Sequence, residues 1–263
     1  MAVAPKAIRA EPLPMASEAR RHDAWWVEPL IVVVVLASFG IYSTWAAFQN
    51  ANYYAAPYLS PFYSPCLGDC VEGSSDFGQP FGWFPLSSAL IILIFPLGFR
   101  MTCYYYRKAY YRSFWLSPPA CGVAEPHGSY TGETRFPLIL QNVHRWFWYA
   151  AVVVWAILAY DSVLAFRNAD DEWGHMGLGT VIFWVNATLL ALYSLSCHSC
   201  RHIVGGRINS FSKHPLRYKA WTQVSRLNGR HMQLAWASLV SVALTDFYVL
   251  LLATGTISDL RFF

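Results

Sequence analysis

Five apolar stretches without turn signals constrain the fold of this chain more than any other feature. Two of them include the runs LIVVVVL at residues 30–36 and LIILIF at residues 90–95. A helix needs about 20 apolar residues to cross a bilayer core, and each stretch is long enough. Only 13% of the 263 residues are charged, about half the share in an average soluble domain. The sequence therefore predicts an all-α integral membrane protein, a bundle of five transmembrane helices.

The expected organisation is an N-terminal segment, 1–24, followed by a transmembrane domain, 25–263. Pro96 is expected to kink the second helix, because proline removes a backbone hydrogen bond and clashes with the preceding turn. The first stretch is too long for the core of a secretory signal, so we interpret it as an anchor helix. The predicted helices are 25–48, 84–106, 144–166, 175–199 and 231–254.

The distribution of lysine and arginine predicts the orientation. Residues 49–82 contain no Lys or Arg. Two loops are basic: residues 100–145 contain six Lys or Arg residues, and residues 201–231 contain seven and no acidic residue. Because basic residues in short loops stay on the cytoplasmic side, the N-terminus and both basic loops are predicted to be cytoplasmic in a multi-pass plasma membrane protein. Neither loop matches a nucleic-acid-binding module. Topology therefore explains the net charge of +4, and no nucleic-acid partner is expected.

Thiols and imidazoles gather at the predicted cytoplasmic ends of the helices. Cys197 and Cys200 are three residues apart, which places both on one face of a helix and within reach of one metal centre. Two buried cysteines that never meet a metal are the plain alternative for this spacing. The candidate ligands are Cys103, Cys121, His144, Cys197, Cys200 and His231.

Two kinds of redox centre use such residues. A b-type haem needs two facing imidazoles, which His144 and His231 would provide. A second haem nearer the other face would need two more histidines, and only His175 lies there. A Rieske-type [2Fe–2S] centre needs two thiolates and two imidazoles. The candidate set supplies these with thiols to spare, so its composition favours the Rieske-type centre.

Other polar residues allow further interpretations. Cys66 and Cys70 lie in a predicted outer loop, where we expect a disulfide. Asp161 and Asp246 lie inside predicted helices, where a charge is costly, so they are either functional or hydrogen-bonded within the bundle. Together with Asn186 they are also compatible with a transporter, although no paired interrupted helices are apparent. An anchor without a redox group is the remaining alternative.

The chain resembles a known family over its whole length, most sharply after the second helix. The segments that carry the resemblance are YYYRKAYYRSFWLSPPAC at residues 104–121, YTGETRFP at 130–137 and QNVHR at 141–145. In these segments it is similar to the membrane subunit of actinobacterial succinate dehydrogenase of the mycobacterial first type, a respiratory complex II. The resemblance implies an anchor for an iron–sulfur subunit and a flavoprotein on the cytoplasmic face. It also implies electron transfer from succinate oxidation to a quinone, with menaquinone as the expected quinone.

The resemblance further implies a Rieske-type cluster in place of two haems, in agreement with the composition. One iron is then expected on His144 and His231, and the other on two of the four cysteines, with Cys197 and Cys200 preferred for their spacing. A haem-b cytochrome subunit of another quinone oxidoreductase is the alternative. An oligomer of the complex is compatible with the sequence. The expected quinone contacts are Tyr106, Arg145 and Trp146.

Overall fold

The computed structural model describes residues 23–67, 75–76, 78, 83, 87–123, 125–126, 134–136 and 138–263. Helices dominate this part of the chain, and β1 (Tyr54–Ala55) and β2 (Tyr58–Leu59) form a short antiparallel hairpin. The helices are α1 (Val27–Gln49), α2 (Ala89–Ile92), α3 (Ile94–Met101), α4 (Tyr104–Phe114), α5 (His144–Leu164), α6 (Leu178–Ser196), α7 (His198–Gly205), α8 (Pro215–Asn228) and α9 (His231–Ala253).

Within the described residues, four helical segments are long and apolar enough to cross a membrane: α1, α5 with the 3₁₀ turn before it, α6 and α9. The segments Ala89–Met101 and Tyr104–Phe114 qualify together as a fifth span, but they are bent by 81°. Large apolar side chains such as Ile31, Val153 and Leu244 are more than half exposed, as expected for helices that face lipid. The predicted all-α membrane fold is confirmed.

The second predicted helix, 84–106, is not continuous. Pro96 stands in the first turn of α3, and the helix is interrupted at Leu93, where a proline clashes with the turn before it. A second break follows Met101, where the Thr102 hydroxyl donates to the Gly98 carbonyl at 2.7 Å. Beyond this break α4 is rich in tyrosine and basic residues, which are unsuited to the bilayer core. The chain therefore bends away from the direction of α3.

The fourth predicted helix, 175–199, ends earlier than expected. α6 stops at Ser196, and Cys197 adopts an extended conformation with ψ of 143°. Cys197 then caps α7, because its thiol accepts a hydrogen bond from the Ser199 backbone N–H at 3.4 Å. The prediction that Cys197 and Cys200 share one helical face is therefore wrong, since a helix break separates them.

Contacts divide the chain into two compact units, Met1–Val35 with Lys108–Tyr130, and Leu36–Arg107 with Thr131–Phe263. In the described part of the smaller unit, Tyr110 and Tyr111 pack against Trp115, with ring centroids 5.6 and 5.2 Å away. In the larger unit, α5 packs against α3 and α6, and α6 packs against α9. Four of the candidate metal-binding side chains lie on these four helices or directly after them.

The segment after α1 folds into the larger unit and not over its surface. Leu59, Phe62 and Tyr63 are each about 98% buried and pack in one core cluster with Val242 of α9. Cys66 is disulfide-bonded, and its predicted partner, Cys70, lies outside the described residues. The hairpin segment is therefore part of the core of this unit.

The two membrane carboxylates hold this segment in place. The Ser60 and Tyr42 hydroxyls donate to Asp246 of α9, and the Ser64 hydroxyl donates to Asp161 of α5. Neither carboxylate bonds the other within the described residues. The contacts of Asp161 and Asp246 are thus with serine and tyrosine hydroxyls that join the loop and α1 to the bundle.

We expect Ser60→Ala to destabilise the protein by about 1–3 kcal/mol, because the buried Asp246 carboxylate loses a charge-assisted hydrogen bond that water cannot replace. Thermal unfolding of the protein in detergent would measure this change. Ser212→Ala is the matched control, because Ser212 is exposed and its hydroxyl contacts that of Ser210. Equal unfolding temperatures for the two variants would contradict the structural role of the Ser60 contact.

Candidate metal centre

Two thiols and two imidazoles meet at the end of the bundle where α5 and α9 begin. His144 Nε2 lies 3.2 Å from Cys197 Sγ, and His231 Nε2 lies 3.3 Å from Cys103 Sγ. Both thiols are at least 97% buried, and His144 is 93% buried. The four side chains come from four separate parts of the sequence.

Helix ends position all four residues. Cys103 lies in the break between α3 and α4, and Cys197 lies in the break between α6 and α7. His144 and His231 are the first residues of α5 and α9. Each cysteine follows the last turn of one helix, where the backbone is no longer helical. Its thiol can therefore lie against the histidine at the first position of another helix.

A hydroxyl group fixes the tautomer of His144. Thr102 Oγ1 is 2.8 Å from His144 Nδ1, and the same hydroxyl donates its proton to the Gly98 carbonyl. Thr102 must then accept a proton from Nδ1–H. The remaining nitrogen of the neutral ring, Nε2, therefore carries a lone pair directed at the Cys197 thiol.

The same arrangement surrounds His231. Ser196 Oγ is 2.7 Å from His231 Nδ1 and donates its own proton to the Tyr193 carbonyl at 2.8 Å. His231 Nδ1–H is thus the donor to Ser196, and the Nε2 lone pair faces the Cys103 thiol. Metal-binding histidines are held in this way, with the outer ring nitrogen donating to a fixed acceptor.

Aromatic rings cover both imidazoles. Phe99 stacks on His144 with centroids 5.0 Å apart and planes 8° apart. Tyr193 stacks on His231 with centroids 5.1 Å apart and planes 14° apart. Each ring belongs to the helix that ends just before a cysteine, so the turn that supplies a thiol also supports an imidazole.

These contacts reveal a motif that occurs twice in the chain and that sequence reasoning missed. An aromatic residue stands four residues, and a hydroxyl residue one residue, before Cys103 and again before Cys197. An amide residue stands three residues before each histidine. Gln141 donates to the Met101 carbonyl at 3.3 Å, and Asn228 donates to the Ser196 carbonyl at 2.8 Å. The signal was available as aromatic-x-x-(Ser/Thr)-Cys followed by (Gln/Asn)-x-x-His, but a search for short periods does not find it.

The other two candidate cysteines are placed differently. Cys200 is 96% buried in the first turn of α7, and it does not line the pocket that contains the four residues. Cys121 is exposed and belongs to the smaller unit. Of the six predicted ligands, the structure brings together Cys103, His144, Cys197 and His231.

A pocket of about 750 Å³ opens beside the four residues. Two of the predicted quinone contacts, Arg145 and Trp146, line it together with Tyr104 and Tyr105. Tyr106 does not line it, because its hydroxyl is turned into the core, where it donates to the Ala235 carbonyl at 2.7 Å. Two of the three predicted quinone contacts therefore line this pocket.

A pair of histidines from α7 lines the same pocket. The Nε2 atoms of His198 and His202 are 2.8 Å apart, so one ring donates a proton to the other. Burial and the adjacent His202 lower the pKa of His198.

The kinds of donor in this pocket are those that a Rieske-type cluster uses. No group of three or more His, Cys, Asp or Glu side chains surrounds one metal position in the described ranges. Two thiols and two imidazoles with ordered Nδ1 contacts are instead the ligand set of a Rieske-type centre. The buried Tyr193 hydroxyl is also directed at the Cys103 thiol, so it could donate to the sulfur of a bound cluster.

Comparisons with known proteins agree over nearly the whole chain. A family model described as actinobacterial succinate dehydrogenase subunit SdhC matches residues 27–255. A chain of the solved Mycobacterium smegmatis Sdh1 complex in the apo form is 54% identical, with a TM-score of 0.86 and 98% of each chain covered. No curated protein matches. The family match spans helices α1 to α9.

Proposed function

Because the chain belongs to the family of actinobacterial succinate dehydrogenase membrane subunits, SdhC, we propose that it passes electrons from succinate oxidation to a quinone through a membrane-embedded Rieske-type [2Fe–2S] centre. As the anchor subunit of this inner-membrane complex, it associates with the flavoprotein and iron–sulfur subunits. The proposed ligands are Cys103, Cys197, His144 and His231.

The observation that carries this proposal is the orientation of the two imidazoles. Both Nε2 lone pairs point at thiols, at 3.2 and 3.3 Å, and both Nδ1–H groups are held by hydroxyls. A haem bound by His144 and His231 would need a porphyrin directly against both Nε2 atoms. The thiols of Cys103 and Cys197 occupy those positions, which favours the cluster over the haem-b alternative.

The repeated motif adds independent support. Each copy contributes one thiol and one imidazole, and the two copies have matching contacts. A two-fold relation of this kind exchanges cysteine with cysteine and histidine with histidine. It is therefore compatible with one iron that binds both thiolates and another that binds both imidazoles, as in Rieske-type centres.

The residues of the chain then have distinct tasks. When bound, the cluster supplies a one-electron relay between the iron–sulfur subunit and the quinone. Phe99 and Tyr193 exclude water from the imidazoles, and the helix breaks hold the thiols in place. Arg145 and Trp146 line the pocket and are the proposed contacts of the quinone, which we propose is menaquinone. Burial of the ligands lets the relay operate without exposing the cluster to solvent.

The positive loops indicate which side of the membrane this end of the bundle faces. We propose that the pocket and residues 1–24 are cytoplasmic, because seven basic residues lie between residues 201 and 231. The iron–sulfur subunit would then dock on the side where the four ligands lie. A protease accessibility experiment in sealed vesicles of known orientation would test this topology.

The proposed function is tested on the purified complex by iron analysis, electron paramagnetic resonance and visible spectroscopy. We expect a Rieske-like signal and two irons beyond those in the iron–sulfur subunit, without the sharp reduced-haem bands. Haem bands without the Rieske-like signal would support the cytochrome alternative. The absence of both cofactors would reduce the chain to an anchor.

We expect Ser196→Ala to weaken cluster retention by about 10–100-fold, the usual effect of removing an outer partner of a metal-binding histidine. Without Ser196 Oγ, His231 Nδ1–H has no fixed acceptor, and the ring can rotate or change tautomer. Iron content after dialysis against a chelator measures retention. Ser194→Ala is the control, because it removes a hydroxyl from the same turn of α6 without touching either histidine. Equal iron loss from both variants would contradict the role of Ser196.

A further inference from the structure

Arg100 is a buried cation without an acidic partner in the described part of the chain. It belongs to α3 and is 91% buried. Its guanidinium donates to the Tyr106 hydroxyl at 2.9 Å, the Ala235 carbonyl at 3.3 Å and the Ser238 hydroxyl at 3.1 Å. All three acceptors are neutral. A buried charge is costly unless it is compensated, so a negative group that appears nearby would be strongly stabilised.

The structure connects this cation to the candidate metal centre by two routes. The guanidinium carbon lies 4.7 Å from the centroid of the Tyr193 ring, and the same ring stacks on His231 with centroids 5.1 Å apart. Along the chain, the Cys103 backbone N–H donates to the Arg100 carbonyl at 3.1 Å. Arg100 is therefore one aromatic ring from one proposed ligand and one helical turn from another.

We propose that Arg100 supplies the positive charge that stabilises the reduced form of the centre, and this inference rests on the proposed function. Two thiolates neutralise the oxidised [2Fe–2S] core, and two neutral imidazoles add no charge. One electron received from the iron–sulfur subunit leaves one net negative charge. No bond forms or breaks, and the electron later leaves to the quinone.

A fixed cation is well suited to this task. The net charge around a cluster is one of the factors that set its reduction potential, and charges interact strongly in a medium of low dielectric constant. Tyr106, Ala235 and Ser238 hold the guanidinium in place, which gives Tyr106 a positioning role and not a contact with the quinone.

The test is a redox titration of the cluster signal in the purified complex, followed by electron paramagnetic resonance. We expect Arg100→Gln to lower the midpoint potential, because glutamine keeps donors for Ser238 and Ala235 but removes the charge. At the wild-type midpoint the ratio of oxidised to reduced cluster should rise about tenfold, which is 59 mV for a one-electron couple. Arg100→Lys should restore most of this shift. Arg167→Gln is the control, because Arg167 lies beyond the opposite end of α5 from His144.

A second variant neutralises the charge of Arg100 and keeps the arginine. Ser238→Asp places a carboxylate against the guanidinium and should lower the potential in the same direction. If Arg100→Gln assembles no cluster, this variant decides the question. If both variants lack the cluster while Arg100→Lys retains it, the proposal is overturned, because Arg100 then acts in assembly.

Other outcomes separate this inference from the proposed function. A wild-type complex without the cluster signal refutes the proposed function itself. A wild-type signal with an unchanged potential in Arg100→Gln refutes only the role of Arg100. A raised KM for quinone with an unchanged potential would likewise overturn the proposal and assign Arg100 to quinone binding.

Discussion

Cys197→Ser is expected to abolish the membrane cluster and the reduction of quinone by succinate. The Cys197 thiol lies 3.2 Å from His144 Nε2, and a serine hydroxyl is a poor substitute for a thiolate at iron. Loss of a direct ligand should exceed the roughly 10–100-fold effect of an outer-partner change. The Rieske-like signal and the quinone reductase rate of the purified complex measure the result.

Cys200→Ser is the matched control for this experiment. Cys200 is equally buried and only three residues away, but it belongs to the first turn of α7 and does not line the pocket. The signal should therefore persist in this variant. A cluster that is lost in Cys200→Ser as well as in Cys197→Ser would contradict the proposed ligand set and support the ligand pair preferred from the sequence.

The double variant His144→Ala with His231→Ala is expected to have the second large effect. Both imidazoles are lost, so the cluster signal and quinone reduction should disappear together. Oxidation of succinate with a soluble electron acceptor should continue, because that reaction takes place on the flavoprotein. The difference between the two rates therefore measures the contribution of the membrane centre.

His175→Ala with His214→Ala is the corresponding control, because neither residue lines the pocket. It should keep the signal and both activities. If the double variant of His144 and His231 retained the Rieske-like signal, these histidines would not be ligands. If it lost haem bands instead, the cytochrome alternative would be correct.

The membrane fold was predictable because hydropathy acts over whole segments. An apolar stretch as long as Val27–Gln49 is suited to a bilayer core by its length and hydropathy alone. The breaks at Cys103 and Cys197 were not predictable from the same pattern. The length of an apolar stretch does not reveal where a side-chain hydroxyl interrupts a helix or where the N-cap of a new helix lies. Helical periodicity across Cys197 and Cys200 then placed both residues on one helix, which the break at Cys197 contradicts.

The candidate site was predictable in composition and incomplete in geometry. Both histidines and the general position of the thiols followed from the topology. The hydroxyl partners Thr102 and Ser196 did not, because serine and threonine are common in membrane helices and carry no metal signal of their own. Only their contacts with His144 and His231 give them a role.

The sequence by itself thus determined that this protein folds in a lipid bilayer, that it is helical, and that thiols and imidazoles lie at one end of the bundle. Tertiary structure decided which of those side chains lie together. The thiols in the pocket are those that follow the last turns of α3 and α6, and the imidazoles paired with them are those that open α5 and α9. The physical reason is that ligands far apart in sequence meet only through helix packing, and hydrogen bonds between the segments orient them.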